Sequence, residues 1–382
     1  MKINTSVRNH LFFLDGLRGL AAIYVAAGHA RWLLWEGGDH FKAHIHSYGK
    51  VYRALAVAMS FLKYGHEMVL FFFVLSGFVI HLKYSKQIKE GNTILDKRKY
   101  FIRRATRILP PYLFAFLVTF ICDSIVAHYR FSIYTHTTQI PGLNKNIVFN
   151  HSWLSLIGNL FFLQTAYVPV FGSNGSIWSL KYEWYFYMLY PILFFFNKKT
   201  VPLTLAGVFL IFVVYVLGFQ THFILLDQIA PAVLSWWTGA FIADIYNERI
   251  HLNTLIRRII YACTLLLLLV PVLHDYKMNA SLKDQIAAVG FGGLLLFLLD
   301  FRTNRWIQYV GKLKWLGDCS YTLYLIHAPI IILMNGILLT YTNNILPATF
   351  MYVLIAVILV TVLAYGIHFL VEKPFTSYKK IK

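Results

Sequence analysis

The sequence predicts an all-α fold: a polytopic integral membrane bundle of about ten transmembrane helices. Three observations carry this. Hydrophobic residues make up 58% of the chain and charged residues only 13%, where a soluble domain carries roughly a quarter charged. Apolar runs recur along the whole length, many close to the ~20 residues that cross a bilayer core. Lys and Arg gather in alternate connections between those runs, as membrane orientation demands.

The first run, 11–33, contains LDGLRGL and places Asp15, Arg18 and His29 on one helix. Asp15 and Arg18 interrupt its apolar character, and no small-residue cleavage site follows, so it is read as a span and not as a cleavable signal. The run at 66–84 carries FFFVLSGFVI, in which Ser76 and Gly77 allow a second helix or an extended ligand to come close to the backbone. The run at 108–128 follows the basic stretch DKRKYFIRRATRILPPY. The next, 153–169, is short, holds Asn159 and Gln164, and ends at Pro169 and Gly172. Runs at 177–196, 201–219, 229–247, 257–273 and 284–300 follow, the first of them opening with SIWSLKYEW. The run at 319–339 contains CSYTLYLIHAPI, with Ser320, Tyr324 and His327 on broadly one helical face before Pro329, and 348–371 completes the set. Cys122, Cys263 and Cys319 are scattered in apolar segments and read as core packing.

Charge decides whether 153–169 crosses. If it does not, 24 Lys and Arg fall on the side of the N-terminus and 8 on the other; if it does, the split is 13 against 19. The first arrangement obeys the positive-inside rule. It predicts both termini in the cytoplasm and 153–169 as a re-entrant or interfacial segment on the outer side. Orientation also accounts for most of the +19 net charge, so no nucleic-acid partner is expected.

Counting along the helices gives depth. His29 lies 11 residues beyond Arg18, about 16 Å outward, and Glu183 enters from the outer end of its own run to a similar level. A histidine and a carboxylate at one depth suit a general base and its orienting partner; the alternative is that each is satisfied separately and holds helices together. Arg104 and Arg107 share a helical face just inside the membrane. They suit either anionic lipid headgroups or a phosphorylated cytoplasmic cosubstrate. Ser320, Tyr324 and His327 form a polar stripe suited to a substrate path or to hydrogen-bonded packing, and Asp15 and Ser179 are further candidates for such a path. His40, His44 and His46 lack metal-ligand spacing, so no metal site is expected.

Taken together, LDGLRGLAA, the ten residues between Arg18 and His29, FFVLSGF, RRATRILPPY, SIWSLKYEW, SYTLYLIHAP and VEKPF resemble the acyltransferase 3 family of membrane proteins. The motifs run in order from about residue 11 to 375, implying one acyltransferase domain over residues 1–382, multi-pass in the cytoplasmic (inner) membrane. The chain resembles the stand-alone form, without an extracytoplasmic esterase-like domain. The resemblance implies transfer of an acyl group, most often acetyl from acetyl-CoA as cosubstrate, to a hydroxyl of a cell-surface glycan such as lipopolysaccharide O-antigen or exopolysaccharide, or of a glycosylated small molecule. It makes His29 the base or acyl carrier, assisted by Glu183. Arg18, Arg104, Arg107, Ser76 and Gly77 become donor-binding residues. The rival from another class is a glycan or ion transporter or flippase that uses the same interior charges without chemistry.

Overall fold

The computed structural model describes residues 11–273 and 278–376; the predicted cytoplasmic termini lie outside them. The described residues contain no β-strand, only the bridges Asn150 to Gly172 and Gln164 to Val168. Ten helices of 16 or more residues form the frame: α1 Phe12–Leu34, α2 Gly65–Lys89, α3 Lys97–His128, α4 Leu180–Asn197, α5 Val201–Val216, α6 Ile224–Tyr246, α7 Thr254–Leu273, α8 Ala280–Asp300, α9 Lys314–Tyr341 and α10 Met351–Val371. Five of them, α2, α3, α8, α9 and α10, are long and apolar enough by length and composition to cross a membrane.

The apolar run at 153–169 makes no such helix. Ser152 caps an eight-residue helix, Trp153–Leu160, by accepting from the Ser155 amide. That helix is about 12 Å long, well short of a ~30 Å hydrocarbon core. The chain then turns through Phe162 and Thr165, both with left-handed backbones at φ 59° and 60°.

Two helix starts differ from the apolar pattern. Helix α3 begins at Lys97, inside the basic stretch, because the Asp96 carboxylate accepts from the Lys99 amide at 2.9 Å and satisfies the exposed first turn. Arg103, Arg104 and Arg107 are therefore helical. Helix α4 begins at Leu180, after the 3-10 turn Gly175–Ser179, so Glu183 sits in its first turn, where the helix dipole favours a carboxylate.

The described residues divide into two compact units that interleave along the sequence. One comprises the residues up to Arg18, Val69–Arg104 and Ser179–Lys314; the other comprises Gly19–Met68, Ala105–Trp178 and the residues from Trp315 onward. In the first unit α5 packs on α6, α6 on α8, and α7 on α8. Helices α2 and α6 cross backbone to backbone: a Cβ on Gly77 would lie 1.9 Å from the Trp236 carbonyl oxygen, and one on Gly239 would lie 1.8 Å from that of Val74. The same unit buries a polar knot. His81 lies 3.0 Å from Asp244 and 2.9 Å from the Tyr190 hydroxyl, and Ser85, Asn197 and Arg249 also donate to Asp244. In the second unit Gly19 lets α1 close on Leu316 and Gly317 of α9, where an added Cβ would meet atoms at 2.5 and 2.7 Å.

The segment after α1 is pinned in the second unit by Glu36. Tyr48 donates to both of its carboxylate oxygens at 2.8 and 2.9 Å, and His40 lies 2.9 Å away. Burial and the Glu36 hydrogen bond push the Tyr48 phenol up to about 12. Cys122 and Cys319 are buried, but Cys263 on α7 is exposed and contributes nothing to the core.

Candidate active site

In the second unit α1 and α9 bring two histidines together. His29 Nδ1 lies 3.1 Å from His327 Nε2, with ring centroids 4.9 Å apart. His327 is fully buried, while His29 is partly accessible. The other nitrogen of His327, Nδ1, lies 3.1 Å from the Leu323 carbonyl oxygen one turn back on α9. A carbonyl only accepts, so Nδ1 carries the proton and Nε2 of the neutral ring carries a lone pair. His29 must then donate from Nδ1, which leaves its own Nε2 unprotonated. The pair thus presents one partly accessible imidazole as a base, oriented by the other.

His327 occupies the place where the sequence predicts Glu183: it is the group that holds His29 Nδ1. A missing backbone hydrogen bond in α9 ties this stretch to a neighbouring segment. Pro329 has no N–H to give the carbonyl four residues back, Leu325, and Asn174 Nδ2 takes up that oxygen at 2.8 Å. Tyr324 donates to the Ser176 carbonyl at 2.9 Å, and its ring centroid is 5.9 Å from that of His327. The segment 172–178 is thereby tied to the turn of α9 just before the histidine. Sequence reading missed Asn174 and Ser176, although the proline that requires such a donor is plain in the chain.

The first unit assembles a second group. Tyr187 donates to Glu183, and its hydroxyl is 3.3 Å from Ser76 Oγ, which also accepts from Trp236 Nε1 at 3.3 Å. The Arg104 guanidinium lies over the rings of Tyr187 and Tyr100, at 5.6 and 5.8 Å. Its Nε is buried and finds no hydrogen-bond partner among the described residues. Lys83, Lys99 and Arg103 stand within electrostatic range of one another or of Arg104. Arg107, one turn later on α3, belongs to the second unit.

The remaining predicted residues fall as follows. Asp15 and Arg18 pair with each other on α1 at 3.1 Å. Ser179 is buried at the start of α4. Gly77 is taken up by the crossing with Trp236, so the approach it permits is that of a helix and leaves no room there for an extended ligand. Of the aromatic residues near the outer segments, Trp35 is buried against Phe350 and Tyr48 is bound to Glu36, whereas Trp153 and Tyr167 are exposed. Among the described residues no group of three His, Cys, Asp or Glu side chains could hold a metal ion.

The fold is a helical one with apolar helices long enough to cross a membrane, and in its second unit two histidines on different helices meet. The family model of the acyltransferase 3 family, described as an acyltransferase domain, matches residues 11–369, and the chain belongs to that family. The peptidoglycan O-acetyltransferase OatA of Listeria monocytogenes is 24% identical over 360 residues, covering 87% of this chain and 51% of its own length. YrhL of Bacillus subtilis is 24% identical over 351 residues, covering 80% of this chain and 50% of its own. The chain therefore spans about half the length of these relatives. No solved structure matches it.

Proposed function

We propose that this protein is a membrane O-acetyltransferase that moves acetyl from cytoplasmic acetyl-CoA to a hydroxyl of a cell-surface glycan. The observation that carries the reading is the His29–His327 pair, which leaves His29 Nε2 as an oriented base inside an acyltransferase domain. Ten crossings by α1 to α10, with both termini cytoplasmic and the 153–179 segment on the outer side, agree with the 24 to 8 distribution of basic residues. That orientation puts the Arg104 cluster at the inner face. Its unpaired guanidinium nitrogen and neighbouring lysines suit the phosphates of acetyl-CoA, with Arg107 on the same helix as a further candidate. Arg18, paired with Asp15, belongs to the same donor side.

In the reaction His29 Nε2 takes the proton of the acceptor hydroxyl as its oxygen bonds to the thioester carbonyl carbon. The carbon–sulfur bond breaks, and the CoA thiolate recovers the proton from the imidazolium. His327 Nε2 accepts from His29 Nδ1 throughout and stabilises the charged ring. The name of the Listeria relative points to peptidoglycan as one acceptor of this class; O-antigen and exopolysaccharide offer the same chemistry.

Vesicles carrying the intact protein or His29→Ala at matched abundance, supplied with labelled acetyl-CoA, test the reading. Label should enter membrane glycan only with the intact protein. Glycan translocation without any histidine-dependent label would make the protein a transporter instead.

A further inference from the structure

A second imidazole, outside the His29 pair, is held in the manner of a base. Asp123 lies near the end of α3, fully buried, in the second unit. Its carboxylate accepts from the Ser173 amide at 2.9 Å, the Ser173 hydroxyl at 2.5 Å and His151 Nε2 at 2.9 Å. The carboxylate oxygen accepts, so His151 donates from Nε2, and the neutral ring then carries its lone pair on Nδ1. Among the described residues nothing pairs with that Nδ1, and the side chain is 31% exposed. Phe120 and Phe171 meet the ring edge-on at 6.1 and 5.4 Å and fix its plane. The loop is shaped around the pair: Gly172, at φ 62°, leaves no room for a Cβ, which would lie 2.6 Å from Asp123 Oδ2 and 2.4 Å from Thr119 Cγ2.

We propose that His151 Nδ1 accepts a hydrogen bond from a hydroxyl of the glycan acceptor other than the one acetylated, making the His151–Asp123 pair an acceptor-positioning subsite. A single nitrogen with no second ligand does not hold a metal, so the group it meets is a hydrogen-bond donor. A sugar presents several hydroxyl donors at fixed spacing. The next residues on the same loop, Ser173 and Asn174, tie the subsite to the Leu325 carbonyl on α9, two residues before His327, so both imidazoles sit on segments of the second unit that are hydrogen-bonded to each other. This inference rests on the proposed glycan acetylation.

The test titrates a surface-glycan extract of the expressing cells into vesicles carrying the full chain, with labelled acetyl-CoA, for the intact protein, His151→Leu and His151→Gln. His151→Leu should raise KM for glycan by about threefold to tenfold, the value of one hydrogen bond, and leave KM for acetyl-CoA in place. His151→Gln should recover most of the loss, since its amide can donate to Asp123 while its carbonyl accepts from the sugar. An unchanged glycan KM in His151→Leu overturns the subsite. So does a loss of folded protein that lowers both substrates' use equally and is not relieved by Gln, because that marks a structural clamp alone. Absence of His29-dependent transfer from the intact protein removes the acetylation reading, and this one with it.

Discussion

Replacing His327 by leucine tests the orientation of the proposed base, His29, without touching the base itself. The substitution removes the Nε2 acceptor 3.1 Å from His29 Nδ1 and keeps a side chain of similar bulk in a fully buried position. In the resting enzyme the lost interaction is a neutral hydrogen bond worth about 0.5–1.5 kcal/mol. At the transition state His29 becomes an imidazolium, and the same contact becomes a hydrogen bond from a charged donor, worth about 1.5–3 kcal/mol. Only the excess over the neutral bond, about 1–1.5 kcal/mol, is felt between bound substrate and transition state, which at 1.36 kcal/mol per decade is about a 5- to 13-fold fall in kcat. KM for acetyl-CoA should stay in place, since the Arg104 group is untouched. His29→Ala should fall further, by about 10² to 10⁴, because the base is gone. His327→Gln, whose carbonyl oxygen can accept from Nδ1, should lie between the intact protein and His327→Leu. Initial rates of labelled acetyl transfer in vesicles at matched abundance measure all four. Full activity in His327→Leu beside an inactive His29→Ala would refute the orienting role.

Other consequences concern packing and the donor side. Gly77→Ala pushes a methyl to 1.9 Å from the Trp236 carbonyl, so Tm in detergent should fall by the equivalent of about 1–3 kcal/mol, and an unchanged Tm would show that α2 and α6 do not cross there. Arg104→Ala should raise KM for acetyl-CoA tenfold or more, on the order of one charge-assisted hydrogen bond, with Arg104→Lys intermediate because an ammonium lacks the guanidinium fork; equal KM values would leave the cluster to lipid headgroups. Asn174→Ala leaves the Leu325 carbonyl without its donor and should cost about 1–3 kcal/mol in thermal unfolding. Adding Pro329→Ala supplies the missing helical N–H, so the double variant should be more stable than Asn174→Ala alone; strict additivity of the two changes would contradict the compensation.

The ten long helices were legible because each apolar run is long, and length is read directly from the chain. Their starts were not always so. The beginning of α3 at Lys97 depends on the Asp96 cap, a single short contact that leaves no apolar period behind it. His29 stood out because a titratable side chain in a spanning helix is costly and therefore suggestive. Its partner did not, for a geometric reason. Residue counting along a helix gives depth but not rotation about the axis, so several polar residues can share a level on paper. The rotation of α9 that turns His327 toward α1 comes from close packing, including the Gly19 contact with Leu316 and Gly317, and from the segment 172–178.

Pro329 marks the boundary between what the chain declares and what only the fold supplies. The missing N–H is visible in the sequence, and so is the carbonyl it abandons, that of Leu325 four residues earlier. In a buried, water-poor interior that oxygen demands another donor. The demand is local and legible, but the donor, Asn174, is 151 residues away in a segment with no helical period. The irregular segment after the short helix Trp153–Leu160 brings it. The proline therefore links two features that look unrelated in the sequence: the short run at 153–169 that forms no long helix, and the helix that carries His327. The short segment leaves a loop whose side chains reach α9, and that reach satisfies the carbonyl Pro329 abandons, beside the proposed catalytic pair.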